Sequence, residues 1–157
     1  MCLYRIIFAI ALLSVSVSVA AQHTPVESLI QKYQESPGAK SFVAQGIKMF
    51  LARKLLEQTE VAPIADDVKV LYVIRMEGSP KGTRLHFISE MYEVLETYHY
   101  YGTIPAKSGT VDIYLKYSSP ETVEELVIYN PEIYTLNSLF GTFTMQELLE
   151  LSEQVKD

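Results

Sequence analysis

The stretch "TYHYYG", Thr97 to Gly102, brings three phenols and an imidazole together: Tyr98, His99, Tyr100 and Tyr101. In an extended chain side chains alternate, so Tyr98 and Tyr100 would share one face and His99 and Tyr101 the other. Together with Tyr114, and with Tyr117, Tyr129 and Tyr134 from neighbouring strands, they would form an aromatic platform on a wet sheet face. Such a platform suits a peptide, a glycan or a partner protein. The plainer alternative is sheet packing, because tyrosine favours strands and stabilises cross-strand pairs. Tyr98, His99, Tyr100, Tyr101 and Tyr114 are therefore the candidate binding residues. His99, Asp112, Tyr114 and Lys116 would be the groups of an enzymatic site assembled on the same polar face.

Other chemistries find little support. The histidines are His23, His86 and His99, and no two of them sit three or four residues apart, so the helical zinc motif is missing. "GSPKG", Gly78 to Gly82, places serine directly after the first glycine, which is not the pattern of a nucleophile elbow. It reads as a plain loop. Gly38-Ala39-Lys40-Ser41 has a lysine and a serine but lacks the glycine framework of a phosphate loop. Asp66-Asp67 reads as a solvated loop. Glu124 and Glu125 are adjacent on a strand and point to opposite faces, so they do not converge. No catalytic residue, metal site or cofactor is assigned.

The elements that must position these residues follow from periodicity. Thr24, Pro25 and Glu27 form a helix start, with Val26, Leu29, Ile30 and Tyr33 on one face. Ile47, Phe50, Leu51, Lys54 and Leu55 recur at helical spacing, so 47–58 is a helix, while 41–45 is either its extension or a short strand. "VAPIADD" is a loop. "VKVLYVIRM" is a strand, and Leu85, Ile88, Met91, Tyr92 and Leu95 mark a helix that gives way to extended chain near Thr97. In "TVDIYLKY", Val111, Ile113, Leu115 and Tyr117 face one way and Asp112, Tyr114 and Lys116 the other, a half-buried strand with one wet face. "ELVIYN" is a further strand, followed by "EIYTLNSLFGTF" with Tyr134, Leu136, Ser138 and Phe140 on one face. Thr144 and Glu147 then open a final amphipathic helix. Links this short join only antiparallel neighbours. The expectation is a single α+β domain: an antiparallel sheet of four to five strands with helices packed on one face, in two layers.

Length and charge narrow the function. The chain has 157 residues and a net charge of −6, with no basic block. It is a poor partner for nucleic acid, and by net charge a poor match to an anionic membrane surface. Arg5 is followed by the apolar run Ile6 to Leu13 and then by small residues ending Val19-Ala20-Ala21, the three parts of a secretory signal. Residues 1–21 are expected to be removed, leaving 22–157 as the exported, periplasmic or secreted domain, with no stable membrane span. Cys2 is the only cysteine and would leave with the signal, so the domain would hold neither disulfide nor thiolate site.

The runs "SLIQKYQESPGAKSFVAQGIKMFLARKLL", "VKVLYVIRM" and "VDIYLKYSSPETVEELVIYNPEIYTLNSLFGTFTMQELLELS" resemble the Domain of Unknown Function 4252 family of secreted Bacteroidetes proteins. The resemblance covers nearly all of the chain after the signal and rests on the order of apolar segments. It implies an export signal, a short strand near Phe42 to Ala44, and an envelope-stress role. This chain departs from the lipoprotein-like members in lacking a cysteine at the cleavage site. The family has no established activity, so no catalytic residue is carried over. The resulting expectation is a non-catalytic binding or sensing module of the envelope, with an envelope protein or peptide as partner.

Overall fold

The computed structural model describes residues 23–107 and 109–153; the expected signal segment lies outside them. Helix α1 spans Pro25–Tyr33, strand β1 Lys40–Gln45 and helix α2 Ile47–Leu56. A 3₁₀ turn at Ala62–Asp67 leads into β2, Val68–Arg75, and helix α3 follows at Lys81–Leu95. The remainder is β3 His99–Ala106, β4 Gly109–Ser119, β5 Thr122–Asn130, β6 Thr135–Thr144 and helix α4 Met145–Glu153. Residues 41–45, open in sequence, belong to β1. Gly46, at φ +57°, then turns the chain straight from β1 into α2, a backbone conformation that glycine adopts without steric cost.

All six strands form one antiparallel sheet, ordered β1-β2-β6-β5-β4-β3. This adds a strand or two to the four to five expected, and β1 and β3 are its edges. The segment Ala62–Asp67, expected as loop, is the 3₁₀ turn.

The expected single helical layer is corrected to two. One apolar core, with Val26, Ile30, Ile74, Phe87, Met91, Val127, Tyr129 and Leu136, lies under α1 and α3. The other, with Met49, Ala52, Ile64, Leu71, Ile113, Leu126, Leu139, Phe143 and Leu148, lies under α2, the 3₁₀ turn and α4. The physical reason is in β5. From Glu125 to Asn130 every residue is buried, because "ELVIYN" is apolar on both sides and a strand of that kind must be covered on both faces.

The helices begin and pair as their residues dictate. Thr24 caps α1 by accepting from the Glu27 amide at 3.3 Å. At the start of α4 the Thr144 amide donates to Glu147 at 2.7 Å, and the Glu147 amide donates to Thr144 Oγ1 at 3.3 Å, a complete capping box. Helices α1 and α3 lie side by side. Lys32 and the Tyr33 phenol both reach Glu90, at 2.7 and 2.9 Å, and the Tyr33 ring meets Phe87 edge-on at 5.2 Å.

Candidate functional site

Sheet register divides the candidate aromatic residues between the two faces. Tyr98 is buried just before β3, in the core under α1 and α3, and is no part of an open platform. Tyr100 pairs with Tyr114 on that same side, their rings 5.3 Å apart. Tyr101 packs on the opposite core, and its phenol reaches the Leu148 carbonyl at 3.4 Å. His99 pairs with Leu115 on that opposite side and stacks edge-on with Tyr117 at 5.8 Å. The bulge between Tyr100 and Gly102 resets the alternation of β3 within the cluster.

His99, Asp112 and Lys116 therefore do not converge: His99 is on one face and the other two are on the other. Lys116 is paired with Glu124 at 3.2 Å. Asp112 accepts from Thr103 Oγ1 at 2.5 Å, and Thr103 in turn accepts from the Tyr100 phenol at 2.6 Å. This chain of hydroxyls fixes the Tyr100 ring. Burial, reinforced by the Asp112 charge, pushes the Tyr114 and Tyr92 phenols up, so both stay neutral donors.

A concavity lies elsewhere. Helix α2 covers β1 and β2, and α4 with the 3₁₀ turn covers β6, and between them the sheet keeps a cavity of about 380 Å³. That volume is at the small end of ligand pockets. Leu71, Val73, Ile104, Val111, Ile113, Ile128 and Leu139 form an apolar floor drawn from β2 to β6. Leu56, Val61 and Leu151 close it from above.

Its polar lining groups gather toward one end of the strands. Asn130 pairs with Thr135 at the β5–β6 hairpin, and Asn137 stands two residues further along β6, flanked by Val73 and Ile128. The Asn130 carboxamide oxygen already accepts the amides of Glu132 and Ile133, at 3.0 and 3.4 Å, which shapes the hairpin. The β3–β4 hairpin lies at the same end. There the Lys107 amide donates to the Glu60 carboxylate at 3.2 Å, tying the roof segment Thr59–Val61 to the hairpin. Exposed Thr59 and Lys107 mark the opening.

No family model, curated protein or solved structure matches this chain.

The opposite face holds a buried polar network that the sequence did not announce. Glu125 is fully buried and accepts three hydrogen bonds: from Tyr98 at 2.8 Å, Ser138 at 2.7 Å and Thr24 at 3.1 Å. Burial raises its pKa, and the three hydrogen bonds and Lys116 oppose the rise. One turn away, Glu27 accepts from the Tyr72 phenol at 2.7 Å and contacts His23 Nδ1 at 2.6 Å, so His23 is held against α1 rather than loose. Burial also pushes the Tyr72 phenol up to about 12, helped by the Glu27 carboxylate. The hydrogen bonds join α1, β2, β5, β6 and the start of β3, so the network fixes α1 to the sheet.

Among the described residues no three His, Cys, Asp or Glu side chains are grouped to hold a metal ion, and no helix is long and apolar enough to cross a membrane. What the arrangement can do is enclose. Its floor is apolar, and Asn137 and Lys107 are among the polar residues of its lining. Of the residues that matter most for this, Val73, Ile113 and Ile128 were legible only as strand residues, and Asn137 only as a polar residue in the strand "YTLNSLF".

Proposed function

We propose that this chain is an exported, non-catalytic binding module that holds a small, largely apolar molecule with one polar end. The ligand's apolar part lies on the floor formed by Val73, Val111, Ile113 and Ile128, and its polar end meets Asn137 and Lys107 at the opening. The observation that carries this is the cavity itself, about 380 Å³ and apolar except toward one end. A polar carboxamide set in an apolar wall costs stability unless it is partnered. Placing one on a central strand therefore fits a site whose occupant brings the partner. Export through the leading segment, and the resemblance to the secreted Domain of Unknown Function 4252 family, belong to the same reading.

The test uses residues 22–157 and a fluorescent fatty acid, cis-parinaric acid, as probe. Saturable binding in the micromolar range is expected, and Ile128→Trp, which fills the cavity, abolishes it while the fold stays intact by circular dichroism. Binding that survives Ile128→Trp, or no binding at all, overturns the reading.

A further inference from the structure

Helix α2 carries its larger apolar side chains away from the protein. Ile47, Phe50, Leu51 and Leu55 are 88%, 60%, 64% and 67% exposed, and their spacing sets them along one ridge. The inward face is made by Met49, Ala52 and Leu56. Phe42, 48% exposed on the edge strand β1, lies on the same side of the sheet as Ala44, which packs under α2. Isolated apolar residues on a surface are ordinary, but a contiguous ridge on one helix marks an interaction site.

The charge of the helix runs against that of the chain. Lys48, Arg53 and Lys54 are its only charged residues, all basic, in a protein of net charge −6. Arg53 is spent on anchoring, since its guanidinium donates twice to the Val68 carbonyl, at 3.1 and 2.9 Å, and fixes α2 to the sheet. Lys48 and Lys54 remain for an outside partner. The Lys54 ammonium lies 5.9 Å from the centre of the Phe50 ring, alongside the ridge. A helix of this kind suits the headgroup boundary of a bilayer, where apolar side chains enter the acyl region and lysines reach back to phosphate.

We infer that α2 docks flat on an anionic lipid surface, with Ile47, Phe50, Leu51 and Leu55 inserted and Lys48 and Lys54 on the headgroup phosphates. A second copy of the chain is the poorer occupant. Two such ridges face to face would bring four lysine ammoniums into one desolvated interface, whereas an anionic membrane neutralises them. The whole-chain charge does not oppose this, because membrane attraction acts within about a Debye length, roughly 8 Å at physiological salt, and so on the local cations. The inference stands apart from the cavity reading, although the helix runs directly into Leu56 and the cavity roof.

The experiment is co-sedimentation of residues 22–157 with vesicles of phosphatidylcholine, and with vesicles of phosphatidylcholine and phosphatidylglycerol in equal parts. Binding to the anionic vesicles, weakened by added salt, is expected. The double variants Phe50→Gln/Leu51→Gln and Lys48→Gln/Lys54→Gln should each reduce it at least about tenfold while keeping the wild-type melting temperature and cis-parinaric acid binding. No sedimentation with either vesicle, equal sedimentation with both, or sedimentation unchanged in the variants overturns the inference. A dimer in analytical ultracentrifugation that Phe50→Gln/Leu51→Gln dissolves, without vesicle binding, also overturns it and makes the second copy the occupant.

Discussion

The Tyr98 phenol donates to the Glu125 carboxylate at 2.8 Å, inside the protein and away from any open surface. A residue that sequence placed on an aromatic binding face is thus a structural pin between the start of β3 and the central strand β5. Ser138 and Thr24 complete the set, so β5, β6 and the first turn of α1 all meet at one carboxylate.

Removing the phenol takes one of three donors from a buried acid. Tyr98→Phe should destabilise the fold by about 1.5–3 kcal/mol, the usual range for a hydrogen bond to a charged group. Urea unfolding at neutral pH measures it. A loss no larger than a few tenths of a kcal/mol would show that water replaces the phenol.

Glu125 also makes stability depend on pH, in the direction opposite to a salt-bridged carboxylate. Burial lifts its pKa in the folded state. A raised acid contributes its full stability below the unfolded pKa, about 4.3, and loses it as pH rises through the folded value. Glu125→Gln lacks this titration. The stability of wild type minus variant should therefore fall as pH climbs from acid through the raised folded pKa, then level off. Thermal melts of both proteins across that range test it; a difference that stays flat or rises contradicts the burial effect.

How far this was legible differs element by element. The alternation of Val111, Ile113 and Leu115 fixed one face of β4, and the Thr144–Glu147 box fixed the start of α4, because both depend on neighbours in sequence. The periodicity of α2 was equally clear, yet it could not say which side is buried. Here Met49, Ala52 and Leu56 face in, while Ile47, Phe50, Leu51 and Leu55 face out. The cavity is a space between distant elements and has no local signature. Glu125 was hidden for a related reason: its neighbours on the burying side, Tyr98, Ser138 and Thr24, come from three separate segments.

Asn137 should trade stability for binding. Its carboxamide faces an apolar wall between Val73 and Ile128. Asn137→Leu should raise stability by about 1 kcal/mol, in line with removing a half-buried polar group. The same change should weaken a carboxylate-ended probe more than a hydrocarbon of equal length. Probe titration and urea unfolding, read together, check both halves; equal affinity for the two probes in the wild-type protein would remove the polar role of Asn137.

The contact between the α1–β1 loop and the loop before α3 offers two substitutions of opposite sign. Ser79 is 3% exposed and its hydroxyl has no hydrogen-bond partner, so Ser79→Ala should be neutral or stabilising by up to about 1 kcal/mol. Gly38 lies against Gly78 at φ +76°, and a Cβ there would stand 2.0 Å from the Gly78 carbonyl oxygen. Gly38→Ala should cost about 2 kcal/mol or more, through the backbone conformation and the clash together. Paired thermal melts distinguish them, and a neutral Gly38→Ala would mean that the 34–40 and 76–80 segments separate freely.

The two threonine caps look alike in sequence and should differ in energy. Thr144 serves only its own helix: it caps α4 through the Glu147 amide, and it is exposed. Thr144→Ala should cost about 1 kcal/mol, the ordinary value of a cap. Thr24 caps α1 by the same geometry but also donates to Glu125 at 3.1 Å. Thr24→Ala removes the cap and takes one of three donors from a buried acid, so its cost should be about 2–3 kcal/mol. The excess should vanish in a Glu125→Leu background, where no carboxylate remains to receive the bond. Double-mutant cycles by urea unfolding give the coupling directly; a coupling of zero would mean that α1 is held by its apolar face and cap alone.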